Sequence, residues 1–143
     1  MRFQLVTLDG TKFDDDVYEV TVPTLEGEIG VLGHHMPLIA VAKTGVVSVR
    51  RQARDTDVQR EFFAINGGAV EIADNRIRIL VDEADHADDI NEAEAEAAIE
   101  RAKQMKAEAT DEVSLEHAQA LVDRHAVRLQ VANLKRRRRS DKR

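Results

Sequence analysis

The sequence predicts an N-terminal β-sandwich followed by a C-terminal antiparallel hairpin of two α-helices. All seven glycines, both prolines and all five aromatic residues lie before residue 69, whereas residues 88–143 contain eleven alanines and no glycine or proline. Apolar residues recur at every second position in the first part and at every third or fourth position in the second. We therefore place a β-domain at residues 1–85 and a helical domain at residues 88–143.

Alternation of apolar and polar residues predicts the individual strands. In the segment Val17–Val22, it puts Tyr18, Val20 and Val22 on one face. The same pattern predicts three further inward-facing pairs: Val47 with Val49, Phe63 with Ile65, and Ile77 with Ile79. Turn residues separate the strands at Asp9-Gly10, Glu26-Gly27, Asp55-Thr56-Asp57, Asn66-Gly67-Gly68 and Asp74-Asn75. Turns at about every 8 to 12 residues are typical of an all-β sandwich or barrel.

Residues 88–143 have the period of two amphipathic helices. Asp89, with Glu92 three residues later, is predicted to cap the first helix, and Ser114 to cap the second after a break at residues 110–112. The apolar face of the first helix comprises Ala95, Ala98, Ile99, Ala102, Met105 and Ala109. That of the second comprises Leu115, Ala118, Leu121, Val122, Ala126, Leu129 and Ala132. The short connector predicts an antiparallel hairpin.

The predicted helical hairpin has little apolar area of its own. One side of its seam is mostly alanine, and ordering each backbone residue costs about 1–2 kcal/mol. The hairpin therefore needs a further surface to pack on. It either docks on the β-domain or leaves it for a partner, and the residues alone favour neither arrangement.

Charge is distributed unevenly along the chain, although the total is only −6. Residues 88–123 contain 3 basic and 11 acidic residues, whereas residues 124–143 contain 9 basic and 1 acidic. A basic end indicates a negatively charged partner, which is a nucleic acid, an anionic membrane or an acidic protein surface. No apolar run is long enough to predict a transmembrane helix. The absence of cysteine excludes disulfides and thiolate chemistry, and we expect a cytoplasmic location.

No pattern of catalytic, phosphate-binding or metal-binding residues is recognisable. His34 and His35 are adjacent, and His117 and His125 are eight residues apart, so neither pair has the spacing of a zinc site. We expect no enzymatic activity, no metal and no cofactor. A nucleic-acid or regulatory binding module that uses the basic run 135–139 is the alternative function. Two observations argue against this alternative. The β-domain is acidic, whereas a nucleic-acid binder normally has a basic face, and no aromatic residue that could stack on a base follows Phe63.

Two segments point to a known family more specifically than any of these features. They are EGEIGVLGHHMPL at residues 26–38 and NGGAVEI at residues 66–72. Both resemble the epsilon subunit of bacterial F-type ATP synthases, which has G-E-x-G-[IV]-L-x-x-H-x-P-L followed by G-G-x-x-E-[IV]. The similarity continues through the helices and covers essentially the whole chain.

The resemblance implies a non-catalytic, peripheral rotor subunit on the cytoplasmic face of the bacterial plasma membrane. In that family the sandwich binds the gamma subunit of the central stalk, and its G-E-x-G to H-x-P-L end faces the c-ring. The residues carried over to this interface are Glu28, Gly30, Val31, Leu32 and His35. The hairpin can extend into the alpha/beta catalytic head and restrain ATP hydrolysis. The basic residues assigned to this regulatory role are Arg124, Arg128, Lys135 and Arg136.

Some members of that family bind ATP on the hairpin through an [IL]-D-x-x-R-A pattern. The corresponding residues here are Ile90-Asn91-Glu92-Ala93-Glu94-Ala95. Asn91 replaces the aspartate, and Glu94 stands where a phosphate would need a cation. Arg101 lies two helical turns further on and is not expected to replace the missing arginine. The sequence therefore predicts weak or absent ATP binding.

Overall fold

The computed structural model describes residues 1–141, which form ten β-strands and two α-helices. The strands of the first half are β1 (Arg2–Thr7), β2 (Gly10–Asp16), β3 (Glu19–Thr24), β4 (Gly27–Leu32) and β5 (Leu38–Ala42). The others are β6 (Gly45–Arg50), β7 (Glu61–Ile65), β8 (Gly68–Ala73), β9 (Arg76–Val81) and β10 (Ala84–His86). The helices are α1 (Glu92–Glu108) and α2 (Glu112–Asp141). Short 3₁₀ turns lie at Asp57–Gln59 and Ala87–Asp89. Residues 142 and 143 of the predicted basic end lie outside the described residues.

The strands form a β-sandwich, as predicted. Their hydrogen-bonding order is β10-β7-β6-β3-β5-β8-β9-β1-β2, with β4 on the other edge of β3. One edge of β3 pairs with β6 at residues 19–21 and with β5 at Thr24. This change of partner folds the path of strands into two layers that share one apolar core.

The core is built from the alternate positions that the sequence indicated. Six valine, isoleucine and phenylalanine side chains of the predicted pairs are at most 2% exposed: Val47, Val49, Phe63, Ile65, Ile77 and Ile79. The prediction for Tyr18 was wrong, because this residue precedes β3 and is 41% exposed. Its N–H donates to the carbonyl of Arg50 instead, and the neighbouring Val17 takes the buried position.

Both predicted helix caps are displaced by two or three residues. The side chain of Asn91, not Asp89, accepts a hydrogen bond from the N–H of Glu94 at 3.0 Å. Asp89 ends the 3₁₀ turn that precedes α1. The carboxylate of Asp111 accepts from the N–H of Ser114 at 2.7 Å, so Asp111 caps α2. Polar residues cluster before each helix, and only the backbone geometry decides which of them is the cap.

The two helices form the predicted antiparallel hairpin, and its seam is shorter than the apolar pattern suggested. Ala95, Ala98, Ile99 and Ala102 of α1 are buried, whereas Met105 is 44% exposed. On α2, Ala118 and Ala132 are buried, whereas Leu115 and Ala126 are exposed. Val131 is fully buried although it was not among the predicted seam residues.

Val131 is buried because the hairpin docks on the sandwich. It forms a second apolar cluster with Ala64 of β7 and Ala87 of the 3₁₀ turn. Four half-buried side chains complete this cluster: Val46, Phe62, Ile90 and Val127. The cluster covers the outer face of β6 and β7. Of the two arrangements that the sequence allowed, the structure shows the docked one.

Candidate partner-binding surfaces

An apolar row crosses the outer face of the sheet formed by β5, β8, β9 and β1. Strand register places its members opposite one another: Val41 opposite Ala69, Ala69 opposite Leu80, and Leu80 opposite Val6. Val41 is 54% exposed and Leu80 is 42% exposed. Ile39, two residues before Val41 and on the same face, is 82% exposed. We call Val6, Val41, Ala69 and Leu80 the outer apolar row. Exposed apolar residues in contiguous arrangement are typical of protein-binding surfaces.

Polar side chains border the outer apolar row on the same face. Ile39 lies opposite Glu71, Glu71 opposite Arg78, and Arg78 opposite Gln4. The Nε of Arg78 donates to Oε1 of Gln4 at 3.2 Å. The helices pack on β6 and β7, so they leave this face uncovered. An apolar strip beside hydrogen-bonding groups has the composition of a protein interface.

The residues predicted at the gamma and c-ring interface are spread along β4 and the loop after it. Glu28 lies next to the β3–β4 turn, whereas Leu32 ends the strand about 13 Å away. His35 follows in the next loop, where the N–H of His34 donates to Oδ1 of Asn75. The structure therefore does not bring Glu28 and His35 together.

Burial separates these residues further. Val31 is fully buried in the sandwich core, so its side chain contributes packing and is not available to a partner. The other four residues of this group are at least partly exposed: Glu28, Gly30, Leu32 and His35. Leu32 is 47% exposed, and Glu28 and Gly30 are exposed on β4. The alternation along β4 accounts for this difference, because adjacent residues of a strand point to opposite faces.

All four basic residues predicted to be regulatory form ion pairs within this chain. The Nε of Arg128 lies 3.1 Å from Oδ2 of Asp85, without the angle of a hydrogen bond. The other three pairs are Arg124 with Glu83, Lys135 with Asp88 at 3.0 Å, and Arg136 with Glu92 at 3.3 Å. We call these four contacts the junction ion pairs. They hold α2 against the segment that connects the sandwich to α1.

The acidic partners of the junction ion pairs were not predicted from the sequence. They lie in residues 83–92, between the end of β9 and the first residue of α1. Arg124 and Arg128 are one helical turn apart, and their partners Glu83 and Asp85 are on the β10 segment. The clustering of acidic residues in this segment was the available signal. The Lys135 ammonium, through its hydrogen bond, lowers the pKa of Asp88 below its ordinary value.

His125 lies among the cations of the junction. Burial lowers its pKa below the ordinary value, and the charges of Arg124, Arg128 and Arg101 lower it further. Asp85 is the opposing carboxylate. A histidine whose pKa is lowered in the folded chain binds protons less well there than in the unfolded chain.

We expect the free energy of unfolding of the chain to fall as the pH drops below about 6.5, the ordinary pKa of histidine. The contribution of His125 to stability is complete above that pH, because His125 is then neutral in the folded and in the unfolded chain. Urea unfolding, followed from pH 8 to pH 5, measures the effect. In His125→Gln, whose new side chain cannot be protonated, the loss of stability below pH 6.5 should be smaller. An unchanged profile in that variant would refute the role of His125.

A cleft of about 510 Å³ lies between α1 and α2. Arg101, His125 and Arg128 line it, and so does Glu94. Arg101 thus reaches the same cleft as Glu94, which the sequence spacing did not lead us to expect. Arg128 is already paired with Asp85, and Glu94 would repel a phosphate group.

Residues 1–87 match the family model described as ATP synthase, Delta/Epsilon chain, beta-sandwich domain. The chain belongs to this family. It is 33% identical over 138 residues to the ATP synthase epsilon chain of Herpetosiphon aurantiacus, an alignment that covers 96% of this chain and 98% of the relative. It is 37% identical over 98 residues to the ATP synthase epsilon chain of Roseiflexus sp. (strain RS-1), covering 68% of this chain and 67% of that one.

Solved structures of ATP synthases contain chains of the same fold. One is in the cryo-EM structure of the Euglena gracilis mitochondrial ATP synthase, OSCP/F1/c-ring, with a TM-score of 0.74 and 22% identity over 91% of this chain and 79% of that one. Another is in the central stalk/c-ring structure from Tetrahymena thermophila, with a TM-score of 0.58 and 19% identity over 94% of this chain and 96% of that one.

The epsilon-subunit resemblance is thus confirmed at the level of the delta/epsilon family, and the nucleic-acid alternative gains no support. Within residues 1–141, neither helix combines the length and the apolar character needed to cross a membrane.

Proposed function

We propose that this delta/epsilon family chain is a central-stalk subunit of an F-type ATP synthase that links the gamma subunit to the c-ring during rotary ATP synthesis. The observation that carries the proposal is the outer apolar row on a sheet face that the hairpin leaves uncovered. The full-length match to an epsilon chain supports it. Co-purification of the full chain with a gamma subunit tests the proposal. Failure of the chain to bind gamma would contradict it.

The gamma subunit is assigned to the outer apolar row. Val41 and Leu80 supply the exposed apolar area, and the Glu71, Arg78 and Gln4 row beside them supplies hydrogen-bonding groups. Burying a large side chain completely contributes about 1.5–3 kcal/mol, so the row supplies part of the free energy that offsets the cost of association. We assign no catalytic role to the chain. Its location follows from its partners: it is peripheral, on the cytoplasmic face of the bacterial plasma membrane.

The hairpin is assigned a regulatory role toward the alpha/beta catalytic head. In the docked state its basic residues are neutralised by Glu83, Asp85, Asp88 and Glu92. A released hairpin presents the same cations to an acidic surface elsewhere. Exposed ion pairs contribute about 0–1 kcal/mol each, so the junction ion pairs add only modestly to the docking of the hairpin.

Deleting residues from Asp88 onward is expected to raise ATP hydrolysis by the assembled complex and to leave assembly intact. The main core consists entirely of residues before 88, so the sandwich keeps its packing. The deletion exposes Phe62 and Ala64, which α2 covers in the full chain. Steady-state hydrolysis by complexes with full and truncated chains provides the measurement. Equal rates would show that the hairpin does not restrain the enzyme.

We also propose that the hairpin binds ATP weakly or not at all. The support is Glu94 in the inter-helix cleft and the pairing of Arg128 with Asp85. Titration calorimetry on the full chain tests this proposal. A micromolar dissociation constant for ATP would refute it.

A further inference from the structure

The outer face of the β5-β8-β9-β1 sheet carries two parallel rows of side chains. One is the outer apolar row. The other lies two residues away on each strand and runs from Ile39 through Glu71 and Arg78 to Gln4. We call these four residues the outer polar row. The pairing of the strands fixes the order of side chains in both rows, so both are parts of the sheet itself.

The two central strands of this face carry complementary side chains. In the outer apolar row, β8 contributes the small Ala69 and β9 the large Leu80. In the outer polar row, β8 contributes the acidic Glu71 and β9 the basic Arg78. Glu71 is exposed, and the Nε of Arg78 donates to an uncharged neighbour, Gln4. Each central strand therefore carries what the other lacks, which is size in one row and the opposite charge in the other.

A two-fold axis parallel to the strands, between β8 and β9, makes this face complementary to a second copy of itself. Such an axis places β8 of one copy against β9 of the other and keeps each row against the same row. Ala69 then meets Leu80 of the second copy, and Glu71 meets its Arg78. Each contact occurs twice, because residues i and j exchange places across a two-fold interface. Two sheets that pack with their strands nearly aligned are a common arrangement.

The two outer strands of the face fit the same arrangement. The axis places β5 of one copy against β1 of the other, so Val41 meets Val6 and Ile39 meets Gln4. Ile39 and Val41 are 82% and 54% exposed in the single chain, and this packing covers both. Oε1 of Gln4 already accepts a hydrogen bond from Arg78, so contact with Ile39 leaves that oxygen paired.

We propose that the free chain forms a symmetric homodimer through this face, with Glu71 of each copy paired with Arg78 of the other. The four strands are five or six residues long, so the face measures only about 20 Å in each direction. It is smaller than the roughly 800 Å² that a standard stable interface buries on each partner. The dimer is therefore weak and forms at high protein concentration. Gamma is assigned to the same face, so gamma and the second copy exclude each other; this last step rests on the proposed function.

Charge reversal tests the pairing, with sedimentation velocity of the full chain over a range of concentrations as the measurement. In Glu71→Arg and in Arg78→Glu, like charges face each other at both symmetric contacts, so the dissociation constant of the dimer should rise at least tenfold. Mixed in equal amounts, these two variants should form a heterodimer, because opposite charges then meet at both contacts. The double variant, Glu71→Arg with Arg78→Glu, should dimerise like wild type. Glu96→Arg, the same charge change at an exposed position of α1, is the matched control and should also dimerise like wild type.

Three outcomes would overturn the dimer: a wild-type chain that stays monomeric up to millimolar concentration, single variants that dimerise like wild type, or a mixture of the two single variants without heterodimer. Recovery of the dimer in the mixture also shows that both variants are folded. Adding gamma to the wild-type dimer should replace it by a complex with one copy of the chain, and a gamma complex that keeps both copies would overturn the shared face. A wild-type chain that dimerises and does not bind gamma would instead refute the proposed function and support the dimer.

Discussion

Replacing Gly68 by alanine is expected to cost the sandwich about 3 kcal/mol of unfolding free energy, which is the upper part of the range for overpacked positions. A Cβ atom at this residue would overlap the carbonyl oxygen of Leu80 and lie 2.9 Å from Cγ1 of Val81. The oxygen belongs to β9, directly beside β8, and cannot move without displacing the strand. The strands would have to separate to relieve the overlap.

Gly67→Ala is the matched control for this prediction. A Cβ at Gly67 would lie 3.2 Å from the carbonyl oxygen of Ala42, a contact that a small shift relieves. Urea unfolding of both variants measures the difference. We expect Gly67→Ala to lose less than half as much stability as Gly68→Ala. Equal losses would mean that the close approach of β9 is not the reason why residue 68 is a glycine.

Reversing two charges, Arg124→Glu with Arg128→Glu, is expected to release the hairpin from the sandwich. Two attractive pairs with Glu83 and Asp85 become two repulsive ones. At up to about 1 kcal/mol for each of two lost attractions and two new repulsions, docking weakens by at most about 4 kcal/mol. Converting a population of hairpins from 99% docked to 99% released needs about 5.5 kcal/mol. We therefore expect a large but incomplete shift toward the released state.

Distance measurements between labels on exposed Lys12 and Val113 would report this release. The compensating control adds Glu83→Arg and Asp85→Arg, which restores opposite charges and should restore the docked distance. High salt should also loosen the wild-type hairpin, because exposed ion pairs are screened. A distance that stays unchanged in the double variant would show that the junction ion pairs do not hold the hairpin.

Local periodicity was sufficient to predict the β-domain, the helical hairpin and several of the strands. Val47 with Val49 and Ile77 with Ile79 alternate within single strands, so no long-range information was needed to place them in the core. The outer apolar row was not predictable in this way. Val6, Val41 and Leu80 are far apart in sequence, and only the pairing of four strands brings them into one line. A local pattern does not predict which residues of two distant strands pair with each other.

The basic residues of α2 show the same limit. The basic run indicated an acidic partner, and the structure places that partner within the chain itself. Lys135 and Asp88 are 47 positions apart, and their contact depends on how α2 returns along the hairpin. Val131 was missed for a related reason, because it faces β7 and lies outside the seam with α1. Whether a helical side chain faces its neighbouring helix or the sheet depends on docking, which the helical period does not encode.

The affinity of the chain for gamma, compared between wild type and a Val41→Asp with Leu80→Asp variant, tests the role of the outer apolar row most directly. Two carboxylates in the middle of this row should weaken gamma binding at least tenfold. Val113→Asp, which is exposed on α2 and remote from the row, should bind like wild type. Unchanged affinity in the Val41 and Leu80 variant would contradict the assignment of gamma to this face.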